Sequence, residues 1–184
     1  MSARHCSTTP DARRAKKPAL TKRLRGRMLG LMNEASTKAL EYFHQGFNCA
    51  QSVFAAFADQ VGMSERDALL FSSAFGAGLG RMRGTCGAFS GLCMVAGFCK
   101  GNLSGNPEEK EIIFSLTREL AEAFKQKFGT LTCRELLHLD EEMERSARPN
   151  ERTQAYYDAR PCERCVSFCA AKAEELIKQF PKSK

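Results

Sequence analysis

From Met28 onward, apolar residues recur at spacings of three and four, and no segment shows a sustained alternation of apolar and polar residues. The first such stripe comprises Leu29, Leu31, Met32, Ala35, Ala39, Leu40 and Phe43. This spacing places side chains on one face of an α-helix, whereas a half-buried strand needs a period of two. The pattern therefore predicts an all-α fold, a compact single-domain helical bundle without a sheet.

Residues that begin and end helices divide this part of the chain into about six to seven helices. Starts are predicted at Asn48, Ser64, Thr85, Asn106, Thr132 and Pro161, and stops at Gly46, Gly62, Gly101, Gly129 and Phe180. Asn, Ser and Thr side chains accept a hydrogen bond from a backbone N–H in the first turn, and glycine ends a helix in a left-handed conformation. Ser64 and Thr132 are also predicted to open capping boxes.

The basic residues are concentrated at the N-terminus. Residues 1–27 contain nine Lys or Arg and one Asp, a net charge of +8, whereas the remaining 19 Lys or Arg and 20 Asp or Glu give residues 28–184 a net charge of −1. A segment of this composition cannot bury enough apolar surface to fold. We therefore predict a disordered basic tail over 1–27 and a helical domain over 28–182. Nucleic-acid contact is not expected except through the tail.

The chain contains nine cysteines, an odd number that cannot pair completely as disulfides within one chain. No apolar run is long enough to span a bilayer, and no apolar stretch follows the basic N-terminus as it does in a secretory signal. These features predict a cytoplasmic protein without a membrane span, in which most cysteines remain thiols. The function therefore depends on which of these thiols bind a metal or react.

Four cysteines share one local setting, because each directly follows a residue at which a helix is predicted to begin. They are Cys49, Cys86, Cys133 and Cys162. The unpaired N–H groups and the dipole of a helix N-terminus favour negative charge, which lowers the pKa of a thiol placed there. The same groups can donate hydrogen bonds to the sulfur atoms of a metal cluster. The pattern therefore predicts one redox or metal site built from these four cysteines.

Three motifs in this order resemble a known family, and two later segments extend the resemblance. The motifs are GFNCAQ at 46–51, FGAGLGRM at 75–82 and TCGAFSG at 85–91, followed by FG at 128–129 with CRELL at 133–137, and by Cys162. Over roughly residues 28–180 the chain resembles the C-GCAxxG-C-C family. The resemblance implies a compact helical domain with an inferred redox role. Its signature cysteines correspond to Cys49, Cys86, Cys133 and Cys162.

A domain similar to this family accompanies haem in split-Soret cytochromes, where an iron–sulfur centre is implied. The present chain lacks a CxxCH motif, so no c-type haem is expected. The chain departs from the family pattern at His138, where the family tends to have glycine. It also carries Cys165 and Cys169 after Cys162 on one helical face, and Cys162 fits the fourth signature position better than Cys165 because it lies at the helix start.

The glycine-rich stretch from Gly76 to Gly87 is predicted to be irregular backbone, and the polar stretch 140–160 a loop. The glycines do not form a dinucleotide fingerprint, because Arg81 takes the place of the third glycine, and no P-loop lysine follows. We predict instead that backbone passes close to the site or to another helix there, with Gly84, Gly87 and Gly91 as site backbone. Arg81 and Arg83 can compensate thiolate charge, although exposed surface is the expected position of both.

The remaining cysteines divide into two groups. Cys165 and Cys169 are additional site candidates, although a packed helix face explains them equally well. Cys93 and Cys99 lie in the apolar stretch 92–98 or beside it and are predicted to be core residues. The histidines, His138 among them, are expected at helix ends or on the surface rather than as ligands.

Three functions fit this pattern. The first is a redox protein in which three or four signature thiolates hold an iron–sulfur cluster and pass electrons. The second is a metal-free thiol–disulfide protein, in which a pair such as Cys49 and Cys86 cycles between dithiol and disulfide. The third is a structural zinc site, against which the single CxxC of this domain, Cys162 with Cys165, weighs. No catalytic residue is assigned, and the redox partner and the oligomeric state, homodimer included, are left open by the sequence.

Overall fold

The computed structural model describes residues 34–140 and 146–181. In these ranges the chain forms nine α-helices, a 3₁₀ turn at Ser73–Phe75 and no β-strand, so the predicted all-α fold is confirmed. The helices are α1 (Glu34–His44), α2 (Cys49–Ala55), α3 (Ala58–Val61), α4 (Glu65–Ser72), α5 (Gly87–Lys100), α6 (Pro107–Phe128), α7 (Cys133–Leu136), α8 (Gln154–Asp158) and α9 (Cys162–Gln179). None of these helices is both long and apolar enough to cross a membrane. The predicted tail and both ends of the predicted domain lie outside the described ranges.

Three of the predicted caps form as expected. The Asn48 side chain accepts hydrogen bonds from the N–H groups of Ala50 and Gln51, at 3.0 and 3.1 Å. The Gln51 side chain in turn accepts a hydrogen bond from the Asn48 N–H, which completes a capping box. Ser64 and Asn106 cap α4 and α6 through their side chains. These local hydrogen bonds determine where α2, α4 and α6 begin.

The side-chain caps predicted at Thr85 and Thr132 do not form, although Thr132 is the cap residue of α7, as predicted. Cys86 holds the cap position of α5, which begins at Gly87, and the Thr132 side chain makes no capping hydrogen bond to α7. The backbones of Thr85 and Thr132 pair with each other in an antiparallel bridge instead. The Thr132 N–H is taken up by the hydroxyl of Thr130, at 3.0 Å. A contact between segments distant in sequence thus replaces the local caps.

The structure differs from the predicted helices in two further places. The helix predicted over 48–62 is interrupted at Phe57, which leaves the helical conformation (φ −114°, ψ 17°) while its ring is buried. In the stretch predicted to be a loop, Thr153 caps the short helix α8. Tyr157 of α8 packs edge-on against Phe43 of α1, with ring centroids 5.7 Å apart. This tertiary contact stabilises a helix that the polar composition of the segment did not indicate.

Helix α5 packs against α2, α6 and α9. These four helices contribute the fully buried side chains Val53, Phe54, Leu92, Val95, Phe124, Cys165, Val166 and Cys169. The contact between α5 and α2 requires a glycine at position 91. A Cβ atom at Gly91 would lie 2.9 Å from both the carbonyl oxygen of Ala50 and the Cβ of Val53. At Gly97 in the same helix, a Cβ atom would meet nothing within 4 Å.

The glycine-rich stretch before α5 forms a left-handed turn, which confirms the predicted irregular backbone. Five successive residues have positive φ angles of 52, 74, 64, 53 and 68°, namely Ala77, Gly78, Leu79, Gly80 and Arg81. This conformation costs roughly 1–2 kcal/mol for each non-glycine residue, so the turn depends on its surroundings. The N–H of Gly80 donates to Ala74 O at 2.7 Å, and that of Gly84 donates to Gly78 O at 3.0 Å. The turn leads directly into Arg83, a buried residue at the site.

The two glycines of α5 give a matched test of the α2–α5 contact. We expect Gly91→Ala to lower the free energy of unfolding by about 1–3 kcal/mol, because the added methyl group overlaps the backbone of α2. Gly97→Ala is expected to raise it by about 0.5–1 kcal/mol, because alanine favours the helix and has open space there. Urea unfolding followed by far-UV circular dichroism measures both values. Equal effects of the two substitutions would contradict the tight contact.

Candidate functional site

The four signature cysteines lie at four different helix N-termini, as the sequence predicted. Cys49, Cys133 and Cys162 are the first residues of α2, α7 and α9, and Cys86 is the cap residue of α5. Electrostatic interactions connect Cys49 with Cys86, Cys133 and Cys162. The fold therefore brings the four residues together, although they are separated by up to 113 positions in the chain, from Cys49 to Cys162.

The antiparallel bridge aligns the second and third signature cysteines. The N–H of Cys86 donates to Leu131 O at 2.8 Å, and the N–H of Cys133 donates to Gly84 O at 2.7 Å. These two hydrogen bonds lie on either side of the Thr85–Thr132 pair and fix the starts of α5 and α7 relative to each other. Gly84 was predicted to be site backbone, and its carbonyl is one of the two acceptors in this bridge.

The thiols of Cys49 and Cys162 form a hydrogen-bonded pair at the N-termini of α2 and α9. The bond from Cys49 lowers the pKa of the Cys162 thiol, and the positive charges of Arg160, Arg152 and Arg83 lower it further. The same bond raises the pKa of Cys49 well above its ordinary value, and burial adds to this effect. Both residues retain partial exposure to solvent. Of the two, Cys162 therefore ionises more readily than Cys49.

A second pair of neighbouring thiols, Cys86 and Cys165, is more deeply buried. Cys165 donates a hydrogen bond to Cys86, which lowers the pKa of Cys86, and the N–H groups of Phe89 and Ala88 lower it further. The same bond raises the pKa of Cys165 strongly, with burial as the second cause. Cys86 is 5% exposed and Cys165 1% exposed, so this pair is shielded from solvent. Of the two additional candidates, Cys165 thus belongs to the site.

Cys133 faces a buried arginine. Burial is the main cause that raises the pKa of Cys133 to about 11, and the charge of Cys86 adds to it. The guanidinium of Arg83 opposes this rise through a contact of 4.0 Å between Nη1 and the Cys133 sulfur. The prediction that Arg83 is exposed is wrong, because only 3% of it is accessible. The left-handed turn before α5 directs Arg83 inward. Its guanidinium there supplies the positive charge that the sequence analysis considered as compensation for thiolate charge.

The setting at a helix N-terminus was expected to lower the pKa of all four signature thiols, and this is wrong for two of them. The pKa is lowered at Cys86 and Cys162 but raised at Cys49 and Cys133. Hydrogen bonding between thiols and the loss of water outweigh the helix termini at the latter two residues. The sequence indicates that these cysteines lie at helix N-termini, but it indicates neither the hydrogen bonds between thiols nor the loss of water.

The other cysteines of the described ranges lie apart from the two thiol pairs. Cys169 is fully buried one turn beyond Cys165, and burial raises its pKa well above the ordinary value. Burial alone raises the pKa of Cys93 to about 12. Cys93 and Cys99, predicted to be core residues, are only partly buried and pack against the core of the bundle. Cys6 lies outside the described residues.

His138 is exposed and has a left-handed backbone (φ 52°). This conformation gives a physical reason for the glycine that the family tends to have at this position, because glycine adopts it without strain. His138 follows the short helix α7, where it ends a turn rather than facing the thiols. The expectation that it is a surface histidine is confirmed.

Sequence reasoning missed the residues that border the Cys49–Cys162 pair on the side of α8. Arg152 donates to the carbonyl oxygens of Phe43 and Phe47, at 2.8 and 2.9 Å, and its guanidinium lies 4.6 Å from the centre of the Phe43 ring. Tyr156 of α8 lies between two arginines and near enough to interact with Cys162 and Cys49. The only signal for this segment was its mixture of arginines and tyrosines, which is not specific.

The thiols were tested as ligands of a metal or a cluster. Thiolate sulfur is the donor that iron–sulfur and structural zinc sites use, so the residue types fit. Within residues 34–140 and 146–181, however, no group of three or more Cys, His, Asp or Glu side chains is positioned to hold a metal ion. The thiols meet in pairs rather than in a coordination shell.

Residues 47–176 match the model of the family described as "Putative redox-active protein (C_GCAxxG_C_C)". The matched range covers more than half of the chain and includes all four signature cysteines, both thiol pairs and the glycine-rich turn. No curated protein and no solved structure matches the chain. The resemblance seen in the motifs is thereby confirmed. The chain belongs to the C_GCAxxG_C_C family.

Proposed function

We propose that this chain is a thiol–disulfide redox protein whose reactive dithiol is the Cys49–Cys162 pair. The observation that carries the proposal is that these two partly exposed residues begin α2 and α9, two helices that pack against each other, with their thiols close enough for a hydrogen bond. Two sulfur atoms in such contact need only small side-chain rotations to reach the bond length of about 2.05 Å in a disulfide. The family description, redox-active, agrees with this chemistry.

Exposure separates the Cys49–Cys162 pair from the deeper one. Cys49 and Cys162 are partly exposed, whereas Cys86 and Cys133 are buried. A substrate disulfide must come into line with the attacking sulfur, so it can reach the outer pair first. We therefore assign the first exchange with a substrate to Cys49 and Cys162. The substrate class is an accessible disulfide, carried by a small molecule or by a partner protein.

The two cysteines have different tasks in this proposal. The thiolate of Cys162 attacks one sulfur of the substrate disulfide, which breaks that bond, forms a mixed disulfide and releases the first substrate thiolate. Cys49 then gives its proton to that leaving thiolate and attacks the Cys162 sulfur. The second substrate thiolate leaves and takes a proton from solvent, which balances the proton that Cys162 gave up on ionising. The substrate gains two electrons, and Cys49 and Cys162 lose two as they form a disulfide.

Limiting oxidation of the reduced protein tests the assignment, in a Cys6→Ser background that removes the cysteine outside the described residues. With one equivalent of dithiodipyridine, we expect the wild-type pair to release two thiopyridones per protein and to cross-link the tryptic peptides 39–66 and 153–164. Cys49→Ser is expected to release one thiopyridone at early times and to keep the other on peptide 153–164. Cys162→Ser is expected to react more slowly, because it removes the thiol whose pKa is lowered and leaves Cys49, whose thiolate is still disfavoured by burial.

Cys93→Ser is the matched control, since it removes a thiol of α5 whose pKa is about 12. It should behave as the unsubstituted protein does, and circular dichroism should show the same helical content in all variants. The assignment is wrong if the first cross-link forms between other peptides, or if the Cys162→Ser protein reacts at the same rate as its parent.

A second candidate function is the binding of an iron–sulfur cluster through Cys49, Cys86, Cys133 and Cys162. One observation favours it. The four thiols are close enough to influence one another electrostatically, and Arg83 lies beside them as a buried cation. A buried positive charge is stabilised by negative charge nearby, which a thiolate-ligated cluster supplies. Binding would require the paired thiols to separate and rearrange.

Metal analysis after anaerobic purification distinguishes the two candidates. The dithiol proposal predicts a colourless protein with less than stoichiometric iron, sulfide and zinc. The cluster candidate predicts iron and sulfide together with absorbance in the visible region, lost in Cys86→Ser and kept in Cys93→Ser. Colourless protein with stoichiometric zinc would instead indicate a structural zinc site.

A further inference from the structure

We propose that Cys86 and Cys165 form a second, buried dithiol, which receives a disulfide from the Cys49–Cys162 pair through Cys162 and Cys165. The inference rests on the proposed function and extends it from one reactive pair to two. Cys165 is not one of the four signature cysteines. The pair gives this chain the capacity to take up four electrons from a reductant rather than two, or to deliver four to substrate disulfides.

The first evidence is the contact between the two thiols. Cys165 donates a hydrogen bond to Cys86, which already accepts from the N–H groups of Phe89 and Ala88 at the start of α5. Cys86 caps α5 and Cys165 is the fourth residue of α9, two helices that pack against each other, so the fold itself brings these two buried residues together. With 5% and 1% exposure, the two residues are out of reach of a substrate disulfide. Another group of the protein must exchange with them.

The second evidence is the position of Cys162 and Cys165 in α9. They lie at the first and fourth residues of the helix, one turn apart on the same face. This is the CxxC spacing at a helix N-terminus that dithiol oxidoreductases use. Each of the two residues belongs to a different thiol pair, Cys162 to the outer one and Cys165 to the inner one. Helix α9 therefore carries one member of each pair, and the two lie one turn apart on the same face.

Two exchange steps transfer the disulfide inward without any external oxidant or reductant. In the first, Cys165 gives its proton to the Cys86 thiolate and attacks the Cys162 sulfur of the outer disulfide. The Cys49–Cys162 bond breaks, the Cys162–Cys165 bond forms, and Cys49 leaves as a thiolate. In the second, Cys86 returns the proton to Cys49 and attacks Cys165. The Cys86–Cys165 bond forms and Cys162 leaves as a thiolate, so the outer pair is again a dithiol.

Oxidation with diamide, which converts two thiols to a disulfide and is itself reduced to the hydrazine, tests the inference in the Cys6→Ser full-length protein. The reduced protein is expected to consume two equivalents and to yield two cross-links after trypsin. The outer cross-link joins peptides 39–66 and 153–164, and the inner one joins 84–100 and 165–172. Cleavage after Arg164 separates Cys162 from Cys165, so the two disulfides are resolved.

Cys165→Ala is expected to halve the consumption to one equivalent and to abolish the inner cross-link, while the outer one persists. Cys169→Ala is the matched control, because Cys169 lies one turn further in α9, is equally buried and shares the peptide 165–172. It should leave both cross-links and the two equivalents unchanged. Unchanged consumption in Cys165→Ala, or a wild-type protein that forms the outer cross-link alone, would overturn the second dithiol. Loss of the outer cross-link in the wild type would instead overturn the proposed function.

Discussion

The backbone contact between the starts of α2 and α5 is the constraint on which the cysteine site depends. A Cβ atom at Gly87 would lie 3.0 Å from Phe75 O and 3.3 Å from Ala50 N, and one at Gly76 would lie 2.1 Å from Cγ of Asn48. Real Cβ atoms essentially never come within 3.0 Å of such atoms, and contacts of 3.0–3.4 Å are tighter than most, so Gly76 and Gly87 allow these segments to pack closely on the start of α2. Each N-terminus carries one signature cysteine. The glycines of the family motif thus allow close packing of the backbone, and the cysteines between them supply the thiols of the site.

The local parts of this fold could be predicted from sequence, and the long-range parts could not. Asn48 and Asn106 cap helices as expected because both the donor and the acceptor lie within three residues of each other. Thr85 and Thr132 have equally good local patterns for caps, yet their backbones pair with each other and neither side chain caps a helix. Phe43 is part of the predicted apolar stripe, but nothing in sequence indicated that it would hold α8 against α1. Pairing between distant segments has no periodic signature.

The same division applies to the site. The helix N-terminal positions of the four signature cysteines followed from caps and motifs, but the choice of partners did not. A pair of Cys49 with Cys86 was considered, whereas the structure pairs Cys49 with Cys162 and Cys86 with Cys165. The relative rotation of α2, α5 and α9 decides this choice, and it depends on side-chain packing throughout the bundle. Cys165 could be recognised only as a residue on the same helical face as Cys162.

The two members of a hydrogen-bonded thiol pair are not equivalent, because one sulfur accepts the hydrogen bond and the other donates it. The helix N-terminus favours the thiolate at every signature cysteine, so it cannot decide which member accepts. At Cys162 the thiolate is favoured by Arg152 and Arg160, which flank α8, and by Arg83, and at Cys86 it is favoured by two N–H groups of α5. In both pairs one member therefore ionises more readily, Cys162 in the outer pair and Cys86 in the inner one. Disulfide exchange needs this asymmetry, since two thiols without a preferred thiolate attack slowly and two thiolates repel each other.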